Sequence, residues 1–304
     1  MSNLLSLSFS GDVAALLPGV CALAAEGRFA LDEAGVPVQV VQDGGFSARF
    51  DGVRAEIHYA NKCHFFRMLG HLLEKLPIGP FAITETPYFD QCGVMLDASR
   101  NAVMKPAAFK TFLRRMAMMG LNTAMLYTED TYTIPGQPYF GYMRGRYTAA
   151  ELRACDDYAD CFGIELIPCI QTLGHLEKAL RWPFAAELKD TQNILLAGDE
   201  KALQLIEEML VAATAPFRSK RIHLGMDEAQ GLGSGRYLEQ NGYRPSLDIL
   251  RDHLANVMAL CKKHGLQPMI WSDMCLRPLS PTGDYYDAEA PLCALPPQVT
   301  SAVP

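Results

Sequence analysis

The sequence predicts an α/β protein: a (β/α) TIM-type barrel, incomplete at about five βα units, preceded by a small α+β domain. Three observations predict it. Beyond residue 82 the chain repeats a pattern of amphipathic helix, glycine, apolar strand and polar strand end. The strands themselves are unbroken apolar runs, as in a parallel sheet covered by helices on both faces. Nearly every strand also ends in charged, amide or aromatic residues, which suits a barrel whose site is assembled from many strand ends. A doubly wound sheet gathers such residues at one switch point, and no glycine-rich phosphate loop follows the first strand here.

The elements follow in order. Residues 1–82 hold the short β-type segments LLSLSF, PVQVVQD, FSARFDG and RAEIHYA, then HFFRMLGHLLEKL with its apolar residues at helical spacing. The first 25 residues have the apolar content of an export signal, but they lack a basic start and carry Asp12 and Pro18, so an ordinary strand and helix are expected. PIGPFAITETPYFD reads as the joint to a barrel domain over 83–304. There GVMLDASR is the first strand. A helix from Pro106 closes at Gly120 before LNTAMLYTED; one from Thr148 closes at Gly163 before IELIPCIQ; one from Leu247 closes at Gly265 before LQPMIWSDM. Each glycine stands where a helix end takes a left-handed residue, and Thr148 with Glu151 reads as a capping box. RIHLGMDE supplies one more strand. The tail from Arg277 reads as loop, so the chain is expected to stop before a sixth strand, and a five-stranded arc with two unpaired edges is expected to self-associate.

Composition narrows the function. The 304 residues are 49% apolar and 20% charged with a net charge of −7 and no basic run, which argues against nucleic acid or an anionic membrane as partner. No apolar run reaches the roughly 18 residues of a membrane span. The nine cysteines include no C-x-x-C pair and read as reduced thiols of a cytoplasmic protein. His223 has no second histidine at helical spacing, so no metal site and no cofactor are expected.

The strand ends carry the chemistry: Asp97 and Arg100, Glu129 and Asp130, Gln171 and His175, Asp227 and Glu228, Trp271 and Asp273. Adjacent carboxylates such as Asp227 and Glu228 are costly at a buried strand end unless they have partners or work; capping the next helix is the plainer alternative. GVMLDASR, HLGMDEA and IWSDM, in that order, resemble the family 20 glycoside hydrolases, the β-N-acetylhexosaminidases, and YTEDTYTIPGQPYFGYMRGRYT resembles an intracellular-type subgroup of them. Two strands depart from the family pattern. Tyr127 stands where many members have histidine, and Cys169 and Gln171 stand where the common pattern is acidic. The resemblance implies substrate-assisted hydrolysis of an N-acetylhexosamine-containing oligosaccharide or glycoconjugate, in which the acetamido oxygen of the sugar is the nucleophile. It implies that Glu228 is the proton donor, its pKa raised by burial and by an acidic neighbour, and that Asp227 orients the acetamido group. Arg100 would hold ring hydroxyls, Trp271 would form a pocket wall with Asp273 also at the substrate, and Asp130 with His175 would orient the acid. A carbohydrate-binding fragment without turnover and an unrelated metal-assisted barrel lyase are the alternatives.

Overall fold

The computed structural model describes residues 4–100, 102–276 and 300–302. The chain forms two compact units, Met1–Val94 with Met104–Ala124 and Ala154–Leu166, and Met95–Val103 with Met125–Arg153 and Ile167–Pro304.

The first unit holds a mixed sheet of β1 (Ser6–Gly11), β2 (Ala30–Leu31), β3 (Val36–Gln42), β4 (Ser47–Phe50), β5 (Ala55–Tyr59) and β6 (Phe81–Thr84), in the order β2-β1-β3-β5-β4-β6. β1, β3 and β5 are parallel, and β4 runs antiparallel to β5 and β6. Alternation along β3 sends Val38 and Val40 to the core. The helix Lys62–Lys75 buries Phe65, Phe66, Met68, Leu69 and Leu72, each worth about 1.5–3 kcal/mol. Its first turn is capped by Asn61, whose Oδ1 accepts from the His64 amide at 3.1 Å. The segment expected to be a joint contributes β6, an edge strand of four residues whose alternation is too short to stand out among the flanking prolines.

A second sheet takes β7 (Gly93–Asp97), β8 (Thr123–Glu129), β9 (Glu165–Ile170), β10 (Arg221–His223), β11 (Gln267–Trp271) and β12 (Thr300–Ala302) in sequential order. The pairs β9–β10, β10–β11 and β11–β12 are parallel. Almost every residue of β8 and β9 is buried, which is why these strands read as unbroken apolar runs. Helices Pro106–Met119, Ala149–Asp160 and Ser246–Lys263 intervene, with Gly120, Gly163 and Gly265 left-handed at or just past their ends. The capping box is formed: the Thr148 amide donates to Glu151 Oε2 at 2.9 Å, and the Glu151 amide donates to Thr148 Oγ1 at 3.2 Å.

β12 corrects the strand count. Thr300 pairs with Met269, so β11 is bordered on both sides and the unpaired edge expected there is not present. Three residues at the end of a proline-rich stretch are too few to register as a periodic strand, which is why the sequence reads as loop. Among the described residues no helix is long and apolar enough to cross a membrane.

Candidate active site

The second sheet delivers its polar residues at strand ends on a backbone that is locally strained. Among the described residues five that are not glycine have left-handed backbone. Four of them lie here: Glu129 (φ 48°), His175 (φ 53°), Met226 (φ 69°) and Glu228 (φ 46°). Each such conformation costs about 1–3 kcal/mol and persists where the surroundings over-determine it, as at ligand sites.

Asp227 is the most tightly held of these groups. Its Oδ1 accepts from Gln171 Nε2 at 2.6 Å, and its Oδ2 lies 3.2 Å from His175 Nε2. Burial pushes the Asp227 carboxyl up, but the His175 and Gln171 contacts outweigh it and hold the group below the usual carboxylate value. The same Asp227 contact raises His175 against the opposing effect of burial. His175 Nε2 is also 3.4 Å from Glu228 Oε2, so the imidazole spans both carboxylates. The Glu228 side chain is 53% exposed. The burial expected of it is therefore not found, because the carboxylate stands out from the rim while its amide is drawn inward.

That amide donates to Asp273 Oδ2 at 2.9 Å. Asp273 is only 3% exposed, and burial raises its pKa. It supports the backbone of Glu228 from beneath, which corrects its expected place at the substrate: the residue opens the short helix Asp273–Leu276, and a strand-end position alone does not tell which way it faces.

The expected pairing of Asp130 with His175 is also corrected. Asp130 is 1% exposed and turned to Arg144, whose Nε lies 3.1 Å from Asp130 Oδ1. Glu129, its neighbour at the end of β8, lines the cavity instead. Arg144 Nη2 is 3.7 Å from Glu129 Oε2 and donates to the Ser99 carbonyl. Glu129 is one of the strand-end residues the sequence offers, without a role, and Arg144 is one it does not offer; two adjacent strand-end carboxylates need a cation, and GYMRGRY is the nearby loop that holds one.

Arg100 pairs with Asp97 at 2.7 Å and places its guanidinium 5.2 Å from the centre of the Tyr127 ring. Its side chain is 58% exposed, leaving donors free to face a ligand. Trp271, at the end of β11, is half-buried with its ring 4.6 Å from that of His223. Burial lowers the His223 pKa to about 4, so this histidine is neutral. Arg100, Glu129, Arg144, His175 and Glu177 help to line a cavity of about 280 Å³. Every residue that lines it is polar or charged. Among the described residues no group of three or more His, Cys, Asp or Glu is placed to hold a metal ion.

Residues 89–285 match the glycosyl hydrolase family 20 catalytic domain, a span that contains every residue of the site. The chain belongs to glycosyl hydrolase family 20. Human hexosaminidase D is 26% identical over 167 residues, covering 51% of this chain and 34% of the human protein. A probable β-hexosaminidase of Arthroderma benhamiae is 24% identical over 230 residues, covering 65% of this chain and 37% of its own length. The chain thus spans about a third of the length of these curated relatives. Among solved structures, the β-N-acetylhexosaminidase of Bacteroides fragilis superposes with a TM-score of 0.72 at 19% identity, over 99% of this chain and 66% of that one. A Streptomyces plicatus β-hexosaminidase variant in complex with the product GlcNAc superposes with a TM-score of 0.69 at 17% identity, over 90% of this chain and 62% of that one. Family 20 catalytic domains are TIM barrels, and the sequential parallel sheet from β9 to β12 is in keeping with that architecture.

Proposed function

We propose that this family 20 chain carries the catalytic site of a β-N-acetylhexosaminidase that removes terminal β-linked N-acetylglucosamine or N-acetylgalactosamine. The observation that carries the reading is the pairing of a firmly held Asp227, contacted on both oxygens, with a half-exposed Glu228 free to reach a leaving group. Two adjacent carboxylates so differently supported suit two different tasks.

In the first step the acetamido oxygen of the sugar bonds to the anomeric carbon as the glycosidic C–O bond breaks. Glu228 passes its proton to the departing oxygen. Asp227 accepts the acetamido N–H and stabilises the positive charge that spreads over the resulting oxazolinium ring. In the second step water attacks the anomeric carbon, the ring opens, and Glu228 takes a proton from the water. Both displacements invert, so the product retains the β configuration. His175 orients the two carboxylates, Arg100 binds ring hydroxyls, and Trp271 offers an apolar wall for the sugar face.

The family membership and the hexosaminidase relatives favour this reading over a binding fragment or a metal-assisted lyase. The scattered cysteines, with no C-x-x-C pair, read as reduced thiols and support a cytoplasmic setting. Self-association through a sheet edge is part of the proposal, with β7 and β12 rather than β11 at the two ends of the sheet. Following the anomeric proton of the first-formed sugar by NMR tests the mechanism: β product first is expected, and α product first would overturn it.

A further inference from the structure

Tyr127 and Gln171, two of the positions at which the second and third strands leave the family pattern, are hydrogen-bonded to each other, with Gln171 Nε2 3.0 Å from the Tyr127 hydroxyl oxygen. From this we infer that Gln171 is a positioning residue that holds Asp227 as an oriented carboxylate, and that Gln171 and Tyr127 together link Asp227 to Glu129 by hydrogen bonds of fixed direction. The inference rests on the reading of Asp227 as the group that orients the acetamido substituent.

The direction follows from one backbone group. The Met226 amide can only donate, and it lies 3.1 Å from Gln171 Oε1, so the opposite end of the side chain is the NH₂. That NH₂ has two hydrogens and two acceptors, Asp227 Oδ1 at 2.6 Å and the Tyr127 oxygen at 3.0 Å. The Tyr127 oxygen accepts, so its own hydrogen goes to Glu129 Oε1 at 3.1 Å. Gln171 is 0% exposed and Tyr127 4%, and a buried polar chain satisfied at every link is rigid. Space for it is reserved by Gly225, at φ +72°, where an added Cβ would lie 2.1 Å from Gln171 Oε1 and 2.4 Å from its Cδ.

An acidic residue at position 171 would stand as close to Asp227, and two carboxyls at that distance share a proton. An amide neither ionises nor takes up that proton; it offers Asp227 only an N–H. Asp227 then stays charged to lower pH, and its plane is fixed before a sugar arrives. The other titratable groups around Asp227 are His175, its chain neighbour Glu228, and His223, Tyr127, Cys169 and Asp273. None of these residues is itself replaced in the Gln171 variants, so a shift of Asp227 in them traces to the change at position 171.

The test is a ¹³C NMR titration of the Asp227 carboxyl in the full chain, beside pH profiles of kcat/KM on an aryl N-acetyl-β-glucosaminide. The variants are Gln171→Glu, Gln171→Met and Tyr127→Phe. Gln171→Glu is expected to raise the Asp227 midpoint and the acid limb by at least about one pH unit, the effect of a like-charged neighbour. Gln171→Met, which removes the donor without adding a charge, is expected to raise both by less and to lower kcat about tenfold or more with little change in KM. Tyr127→Phe leaves residue 171 in place and keeps the test open if burying a charge there unfolds the chain; it is expected to lower kcat severalfold with a smaller shift than either. Titrations that coincide with wild type in the folded variants would overturn the role of Gln171 while leaving the hydrolase reading intact. Shifted titrations in a chain with no activity on the aryl glycoside would support Gln171's hold on Asp227 and count against the hydrolase reading.

Discussion

Arg144→Met would remove the cation that the buried carboxylates of Glu129 and Asp130 share. The side chains of Arg144, Glu129 and Asp130 are 9%, 10% and 2% exposed. With separations of 3.7 and 3.1 Å, an effective dielectric of about 20 gives attractions of about 4.5 and 5 kcal/mol. Desolvation of the guanidinium offsets several kcal/mol of this, leaving a net loss of about 3–5 kcal/mol when the cation alone is removed. The loss has a definite pH dependence. Burial raises both Glu129 and Asp130 above their ordinary values. A group raised in the folded state contributes stability that is complete below its unfolded pKa, near 4, and is lost as pH rises through the folded value. Removing Arg144 raises both further, so the deficit against wild type should be small near pH 4 and greatest at pH 7–8. Urea unfolding of the two proteins at intervals between pH 4.5 and 8 measures it. A deficit under 1 kcal/mol at pH 8, or one that does not change with pH, would refute the assignment of Arg144 as the counter-ion of this pair.

Three further outcomes are expected. Glu228→Gln should nearly abolish hydrolysis of a poor leaving group while sparing an activated aryl glycoside more, because a good leaving group needs less protonation; equal losses would count against its role as acid. Asp227→Asn should slow both substrates alike, by about 10²–10³ in kcat if it acts as other charge-stabilising groups do, and a preference between leaving groups would contradict that. His175 is raised by Asp227, so its stabilising contribution is full below an unfolded pKa of about 6.5 and is lost as pH rises through the folded value. Wild-type Tm should fall over that range and His175→Asn should flatten the decline; parallel Tm curves would show that the contact is worth nothing.

The sequence made the βα pattern legible because its signals are local. Gly120, Gly163, Gly265 and the Thr148–Glu151 box mark helix ends within a few residues, and β8 and β9 are long enough to show their burial as apolar runs. β12 was not legible, since three residues carry no period. At the site, chain position told which residues gather at strand ends but not which way each one turns. Asp130 is buried against Arg144 while its neighbour Glu129 lines the cavity, and Asp273 lies beneath the amide of Glu228. Arg144 comes from a loop fifteen residues beyond Glu129, a contact that no local pattern announces. Tyr127 and Gln171 stood out singly as departures from the family pattern; only the 3.0 Å contact makes them one feature.

Whether the sugar supplies its own nucleophile at Asp227 and Glu228 is decided by comparing kcat/KM on an aryl N-acetyl-β-glucosaminide with that on the matching aryl β-glucoside. The two differ only in the acetamido group. Hydrolysis of the first and none detectable of the second is expected, because the glucoside lacks the attacking oxygen. Comparable kcat/KM values on the two would contradict it and point to a nucleophile on the protein.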